Sequence, residues 1–336
     1  MGLFAKNFGV DLGTVNVLIY ENGQIVLQEP ALVALTTEDE RIVEIGQPAR
    51  EMLGRVDEED IQVIRPLRDG VIADYEVTEA MLRHFFNKVA GRIRMVKPTV
   101  MISVPYGVTS VEKRAVHEAA LAAGARRAFL IQEPLAAAIG AGLPVRTPAG
   151  DMVVNIGGGV TEAAILSMNN IIRAESGRVG GLRQDDAIIS YVRRKYNLSV
   201  GQPTAESIKI QVGAAVELPE EMTMEIQGRD NVSGLPRTVT LSTSEVVEAL
   251  AEPLAVIAGV VKSVLSQTPP ELASDIIDRG IVLTGGGALL RGMDQFLTRE
   301  TGVPVYRAEN PMITVAVGAG RALEDEDLQR RILQSY

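Results

Sequence analysis

Three short glycine-containing turns each follow an apolar, strand-like run, and they are the first candidates for chemistry. They are Gly13-Thr14, Gly157-Gly158-Gly159 and Gly285-Gly286-Gly287. Glycine allows backbone N–H groups to approach phosphate oxygens closely, and two facing turns can hold a polyphosphate from both sides. Any one of these turns alone would more often be an ordinary tight hairpin. Three of them at strand ends, in this order and spacing, favour a nucleotide site.

The sequence near these turns disfavours two common types of nucleotide site. Neither GxGxxG nor GxxxxGK[ST] occurs in the chain, which disfavours dinucleotide-binding and P-loop proteins. The third turn is predicted to open a helix over residues 288–300, because apolar residues recur there at helical spacing. The positive N-terminal end of such a helix suits an anion or a nucleotide.

Two carboxylates stand at the ends of strand-like runs that should open into one cleft. Asp11 lies where the first run enters its turn, and a carboxylate there can hold the hydration shell of Mg²⁺. Glu133 ends a buried run just before a helix, and it could orient a water for attack on a γ-phosphate. Each has an ordinary structural alternative. Asp11 could cap its turn, and the charge of Glu133 could simply be favoured by the helix dipole.

Glu206 and Lys209 are predicted to lie one turn apart on the same face of a helix. In that position they could bond the ribose or the adenine edge of a nucleotide. The alternative is a surface ion pair between the two side chains, and the local sequence alone favours it.

A short basic and apolar segment contrasts with the chain's net charge of −10. Met95 and Val96 form its apolar centre, and four cations surround them: Lys88, Arg92, Arg94 and Lys97. Apolar residues inside a basic ring suit insertion into an anionic membrane surface. A helix C-terminus with dipole-favoured cations beside a buried loop is the alternative. The local sequence leaves both open.

The elements that must position these residues are repeated along the chain. Residues 8–12 and 15–20 form two apolar runs around a small-residue turn, and residues 152–156 and 160–167 repeat this pattern. The repeat predicts two domains of similar fold that face each other with one turn from each. From residue 99 onward, strand-like and helix-like segments alternate, which favours a largely parallel α/β sheet.

Composition narrows the possible functions further. The 336-residue chain is long enough for two α/β domains, and it has no cysteine and two histidines, His84 and His117. These counts exclude disulfides and thiolate sites and disfavour histidine-based metal or triad chemistry. Its negative charge argues against nucleic acid as a partner. Neither a signal peptide nor a membrane-spanning segment is expected, so the cytoplasm is the expected location.

The motifs resemble those of the superfamily of ATPases that contains actin, the heat-shock chaperones and hexokinase. Residues 8–14 resemble its first phosphate motif, residues 155–161 its second and residues 281–289 its adenosine motif. Within that superfamily, four further segments are most similar to bacterial actins of the MreB type. These segments are residues 69–74, 133–142, 190–194 and 204–213. With them the resemblance extends over essentially the whole chain.

The resemblance implies an α/β actin-like ATPase fold, with two duplicated domains around a nucleotide cleft. Each domain would have a ribonuclease H-like core and a smaller inserted subdomain. The first domain would comprise residues 1–143 and 315–336 with an insert at about 30–66, and the second residues 144–314 with an insert at about 182–243. ATP or ADP with Mg²⁺ would bind between them.

The resemblance also implies partners and residue roles. The chain would polymerise with itself into paired protofilaments on the inner face of the cell membrane, together with a membrane adaptor and cell-wall synthesis proteins. Met95 and Val96 would form the membrane loop. Glu133, Asp11 and Thr161 would be catalytic, with Asp11 and Asn155 holding Mg²⁺ through water. The nucleotide-binding residues would be Thr14, Val15, Asn16, Gly157, Gly158, Gly159, Glu206, Ser207, Ile208, Lys209, Gly285, Gly286, Gly287 and Ala288.

Five positions depart from the family pattern by losing a polar or charged group near the expected cleft. Asn155 and Val160 stand where Asp and Thr are usual in the second phosphate motif. The other three are Val17 for Thr, Leu182 for Asp and Val317 for Arg. We therefore hypothesise that nucleotide binding is retained and hydrolysis is slow or absent. The alternative function is a soluble ATPase or small-molecule kinase of the same superfamily that does not polymerise.

Overall fold

A computed structural model describes residues 6–90 and 97–329. The first half of the chain contains ten strands and four helices within these ranges. The strands are β1 (Asn7–Leu12), β2 (Asn16–Glu21), β3 (Gln24–Pro30), β4 (Val33–Thr36), β5 (Ile42–Ile45), β6 (Ile61–Ile64), β7 (Leu67–Arg68), β8 (Val71–Ile72), β9 (Thr99–Val104) and β10 (Arg127–Gln132). The helices are α1 (Gln47–Met52), α2 (Tyr75–Ala90), α3 (Ser110–Ala122) and α4 (Glu133–Gly140).

The second half contributes eight strands, six α-helices and two short 3-10 helices to the described part of the chain. The strands are β11 (Asp151–Ile156), β12 (Thr161–Ser167), β13 (Asn170–Gly177), β14 (Leu198–Ser199), β15 (Thr223–Asp230), β16 (Pro236–Ser242), β17 (Ile281–Thr284) and β18 (Val305–Arg307). The helices are α5 (Gly181–Tyr196), α6 (Gln202–Val212), α7 (Thr243–Ser266), α8 (Pro270–Arg279), α9 (Met293–Thr301) and α10 (Thr314–Glu324), and the 3-10 helices are Gly286–Leu289 and Pro311–Ile313.

Two five-stranded sheets of the same topology form the framework. Their orders are β3-β2-β1-β9-β10 and β13-β12-β11-β17-β18. In each sheet an antiparallel meander of three strands continues into two parallel strands. This duplication confirms the repeat predicted from the sequence, and the α/β fold class with it.

Two small three-stranded sheets lie apart from the two large ones. The first has the order β5-β4-β6 and the second β14-β15-β16. They fall within the predicted inserts at residues 30–66 and 182–243. The domain boundaries themselves stay a prediction.

Helix α10, from the far end of the chain, packs on the first large sheet. It packs against α4 and lies across β1. The approach is very close, since a Cβ atom on Gly318 would lie 1.7 Å from the carbonyl oxygen of Ala136, and one on Gly9 would lie 2.2 Å from the backbone nitrogen of Gly320. Only glycine permits α10 to lie this close to both α4 and β1.

The helix predicted over residues 288–300 is wrong at its start. The chain forms the 3-10 helix at Gly286–Leu289, and α9 begins at Met293. Between them Leu290 is extended, and Gly292 has a φ of 69° in the left-handed region. These two conformations interrupt an α-helical path, although the apolar spacing continues across them.

Helix α7 is long and apolar enough, by length and composition, to cross a membrane. It is however a core helix of the second domain, because Leu250, Leu254 and Ile257 are buried among the side chains of that domain. A capping box at Ser242 begins it. The predicted membrane loop, Met95 and Val96, lies outside the described residues.

Candidate functional site

A cleft of about 350 Å³ lies between the two large sheets, and residues from both halves of the chain line it. All three glycine turns reach its wall, because each follows a strand that ends at the cleft: β1, β11 and β17. The wall also includes Asp11, Glu133 and Asn155. The structure therefore brings the predicted phosphate turns and most of the predicted polar residues to one place.

The first and second turns touch each other across the cleft. A Cβ atom on Gly158 would lie 2.2 Å from Cγ2 of Val15, and one on Gly159 would lie 2.7 Å from Oγ1 of Thr14. Side chains on these glycines would thus push the domains apart. The Thr14 hydroxyl accepts a hydrogen bond from the backbone N–H of Gly70 at 2.9 Å, which fixes the first turn.

The third turn packs against the second. A Cβ atom on Gly287 would lie 2.2 Å from Cγ2 of Ile156, and Gly285 has a φ of 82°, which favours glycine. Gly286 faces open space in the cleft wall. The three turns therefore form one continuous, largely backbone surface, which suits an anion held by N–H groups.

Three carboxylates and one amide form a polar cluster beside the turns, in which Asp11 is half-buried and the other members are buried. The Asn155 Nδ2 group donates to Oε2 of Glu133 at 3.3 Å, and the Ser103 hydroxyl donates to Oδ1 of Asp11 at 3.3 Å. Burial raises the pKa of Asp11 to about 7. Burial, followed by the charges of Glu162 and Asp11, holds the pKa of Glu133 well above its usual range. Such a cluster can hold or accept a proton near neutral pH.

Glu162 belongs to this cluster, although sequence reasoning missed it. It lies opposite Asn155 in the β11–β12 pair, is fully buried, and accepts a hydrogen bond from the Tyr106 backbone N–H at 2.6 Å. Burial raises its pKa to about 7. The available signal was a charged residue inside the otherwise apolar strand β12, since such a residue needs a buried partner.

Glu206 and Lys209 do not pair with each other. The Arg50 guanidinium contacts Glu206 at 2.5 Å, and the Lys209 ammonium contacts Asp185 at 2.7 Å. Lys209 also donates to the carbonyl oxygen of Gly181 at 2.8 Å. Both side chains remain in the cleft wall, so the surface ion pair considered from the sequence is not formed.

Four predicted site residues lie outside the cleft wall. The Thr161 hydroxyl is buried and donates to the carbonyl oxygen of Val179 at 2.7 Å. Ser207 accepts a hydrogen bond from Gln211 on the helix surface, and Ile208 is fully buried in the second-domain core. Ala288 is buried directly behind the third turn. Their side chains are thus engaged elsewhere.

The family relationship follows from comparison with known proteins. A family model described as MreB/Mbl protein matches residues 5–331. This chain belongs to the MreB/Mbl family. It is 50% identical over 333 residues to the cell shape-determining protein MreB of Escherichia coli strain K12, covering 97% of this chain and 96% of the relative. It is 49% identical over 326 residues to Mbl of Bacillus subtilis strain 168, covering 97% and 98% respectively.

Solved structures give the same family and fold. The crystal structure of MreB 5 of Spiroplasma citri bound to AMPPNP matches with a TM-score of 0.92 and 35% identity, and covers 100% of both chains. A MamK double helical filament matches with a TM-score of 0.81 over 96% of this chain and 99% of the other. At 21% identity the MamK likeness shows the fold alone.

Three of the five departures from the MreB/Mbl pattern lie in the cleft wall: Asn155, Val160 and Leu182. The other two do not lie in it. Val17 is fully buried in the first-domain core, and Val317 packs beside Leu18 and Tyr20. Three of the five positions expected near the cleft therefore line it, and two lie outside its wall.

The polar cluster fits a magnesium ion held through water better than one held directly. Among the described residues, no group of three or more His, Cys, Asp or Glu is arranged to hold a metal ion. Asp11 and the neutral Asn155 both face the cleft beside the phosphate turns. Because Mg²⁺ usually keeps several waters and bridges phosphates, one carboxylate and one amide oxygen are suitable outer partners.

Proposed function

We propose that this member of the MreB/Mbl family is a cytoskeletal protein that binds ATP or ADP with Mg²⁺ and polymerises into filaments that organise cell shape. The observation that carries the proposal is the cleft of about 350 Å³, whose wall is formed by all three glycine turns together with Asp11, Glu133 and Asn155. The nucleotide in the structure of the Spiroplasma citri relative supports it. So do the names of the curated relatives, which are cell shape-determining proteins.

The proposal places the filaments on the inner face of the cell membrane. Support comes from the sequence alone, through Met95, Val96 and the cations around them. The partners would be a second copy of the chain, an anionic lipid surface, a membrane adaptor and cell-wall synthesis proteins.

Nucleotide hydrolysis is proposed to be slow. Glu133 lines the cleft wall and would orient the water, and the raised pKa of this carboxyl follows from its burial. Asn155 donates to the same carboxylate and provides no charge for a magnesium–water cage. Val160 provides no hydroxyl at the cleft wall. Mg²⁺ would neutralise phosphate charge, while the chain's residues bind the nucleotide and orient the water.

Sedimentation and electron microscopy test the central claim. With ATP the purified protein is expected to pellet at high speed, to bind anionic but not neutral liposomes, and to form filaments on a lipid monolayer. A Met95→Ser/Val96→Ser variant is expected to polymerise in solution and lose liposome binding. Nucleotide binding without filaments in any of these conditions would favour the soluble ATPase or kinase instead.

A further inference from the structure

Arg65 lies in the cleft wall directly after β6, and sequence reasoning did not single it out. Its Nη1 group donates a long hydrogen bond of 3.4 Å to the backbone carbonyl of Thr14, in the first turn. Five residues further on, the Gly70 N–H donates to the Thr14 hydroxyl at 2.9 Å. The segment that carries Arg65 is therefore attached to the first turn at two points, which fixes where the guanidinium can reach.

The carboxylates around Arg65 are already paired with other cations. Glu206 contacts Arg50 at 2.5 Å, and Asp185 contacts Lys209 at 2.7 Å. Within residues 6–90 and 97–329, no carboxylate lies within 4.0 Å of the Arg65 guanidinium. The site around Arg65 thus contains two carboxylates that are each paired with another cation. The Arg65 guanidinium adds a third positive charge that no carboxylate neutralises.

The Arg65 side chain is also partly removed from water. Burial lowers the pKa of its guanidinium, and the charges of Glu206 and Asp185 only oppose this effect. A guanidinium has five N–H donors in a planar fork, and one long hydrogen bond uses few of them. A partly desolvated cation with unused donors is costly unless a ligand supplies oxygen atoms.

We propose that Arg65 binds the phosphate chain of the nucleotide from the first-domain side of the cleft. The inference rests on the proposed nucleotide binding and adds a residue to it. Arginine suits this role because its fork matches two phosphate oxygens at once, whereas the glycine turns offer only backbone N–H groups. Arg65 donates to the Thr14 carbonyl in the first turn and lines the same cleft as Glu206, so its guanidinium lies beside the turn that would hold the phosphates.

Equilibrium binding of ATP, ADP and adenosine to the full chain tests this role. The variant is Arg65→Gln, and the matched control is Arg68→Gln, which alters an exposed arginine on β7 outside the cleft wall. Arg65→Gln is expected to weaken ATP and ADP binding by about tenfold to a hundredfold and to leave adenosine binding unchanged. Arg68→Gln is expected to match the wild type for all three ligands.

An Arg65→Lys variant separates charge from geometry. Lysine keeps the charge and loses the fork, so it should recover only part of the lost ATP affinity. Arg65→Lys is also the deciding variant if Arg65→Gln fails to fold. In that case, an Arg65→Lys protein that binds ATP as tightly as the wild type would overturn the proposal. Equal losses for adenosine and ATP would overturn it as well, since they would assign Arg65 a purely structural role.

The wild-type measurement distinguishes this inference from the function on which it rests. Binding of ATP and ADP by the wild type with unchanged affinity in Arg65→Gln would overturn the role of Arg65 and leave the proposed function intact. If the wild type binds neither nucleotide, the proposed function fails, and the role of Arg65 fails with it.

Discussion

Nη2 of Arg50 lies 2.5 Å from Oε2 of Glu206, and these residues belong to different halves of the molecule. Arg50 is on α1, beside the small sheet of β4, β5 and β6, while Glu206 is on α6 of the second half. Both side chains line the cleft. This ion pair therefore bridges the cleft directly, and a bound nucleotide would leave past it or after it opens.

Loss of this bridge is expected to speed nucleotide release. Both side chains are partly exposed, so the pair should contribute no more than about 1 kcal/mol. Arg50→Gln should therefore release a fluorescent ADP analogue roughly two- to fivefold faster in stopped-flow measurements. Arg55→Gln, an exposed arginine in the same region, is the control. Release at the wild-type rate from Arg50→Gln would show that the bridge does not limit exit.

Restoring the two missing polar groups is expected to raise hydrolysis. In Asn155→Asp/Val160→Thr the second phosphate turn regains a carboxylate and a hydroxyl, and one such group commonly changes the rate by about a hundredfold. Phosphate release with Mg²⁺ and ATP measures the gain. Adding Glu133→Gln to the double variant should abolish the gain, because that carboxylate is proposed to orient the water. No gain, or wild-type turnover equal to that of other family members, would contradict slow hydrolysis.

The contact between α10 and α4 is expected to tolerate no side chain at Gly318. A Cβ atom there would lie 1.7 Å from the Ala136 carbonyl oxygen, so Gly318→Ala should destabilise the protein by about 1–3 kcal/mol or more. Gly259→Ala is the matched control, because Gly259 is exposed on α7 with open space around it. That change should stabilise by about 0.4–1 kcal/mol. Thermal unfolding compares the two, and a Gly318→Ala midpoint at or above wild type would refute this packing.

Asp185 is expected to make stability depend on pH. Burial raises the pKa of this carboxyl from 3.8 to about 6, against the opposing charge of Lys209 and with help from Glu206 and Asp186. Because the folded-state pKa exceeds the unfolded value, the folded protein binds more protons than the unfolded protein at pH values between 3.8 and about 6. The contribution to stability therefore grows as pH falls through about 6 and is lost as pH rises.

Comparison with Asp185→Asn isolates this contribution. The variant also removes the ion-pair partner of Lys209, so the test compares the change in stability between two pH values and not the difference at either one. From about pH 7.5 to about pH 4.5, the free energy of unfolding of the wild type should increase by about 2 kcal/mol relative to the variant. Denaturant titration at both pH values measures the difference, and a constant difference would contradict the burial argument.

The sequence was sufficient to predict the duplicated strand pairs and the meeting of the glycine turns. Both depend on local signals, namely apolar runs of strand length and glycines at their ends. The helix at residues 288–300 was wrong because apolar periodicity does not report the left-handed conformation at Gly292.

The charged partners could not be predicted for a different reason. Arg50 and Glu206 are 156 residues apart, and their contact depends on how the two halves pack. Glu162 and Arg65 similarly gain their positions from neighbours in other strands and turns. The local spacing instead predicted an ion pair between Glu206 and Lys209. Spacing along one helix carries no information about Arg50 and Asp185, which come from other segments and pair with these side chains.

The position of α10 has a consequence for the order of folding during synthesis. This helix covers β1 on one face, where Gly9 and Gly320 meet, so that face of the first large sheet stays uncovered until residue 320 has left the ribosome. Every strand of the second large sheet lies between Asp151 and Arg307, and that sheet can assemble earlier. The half of the molecule that is translated first is therefore completed last.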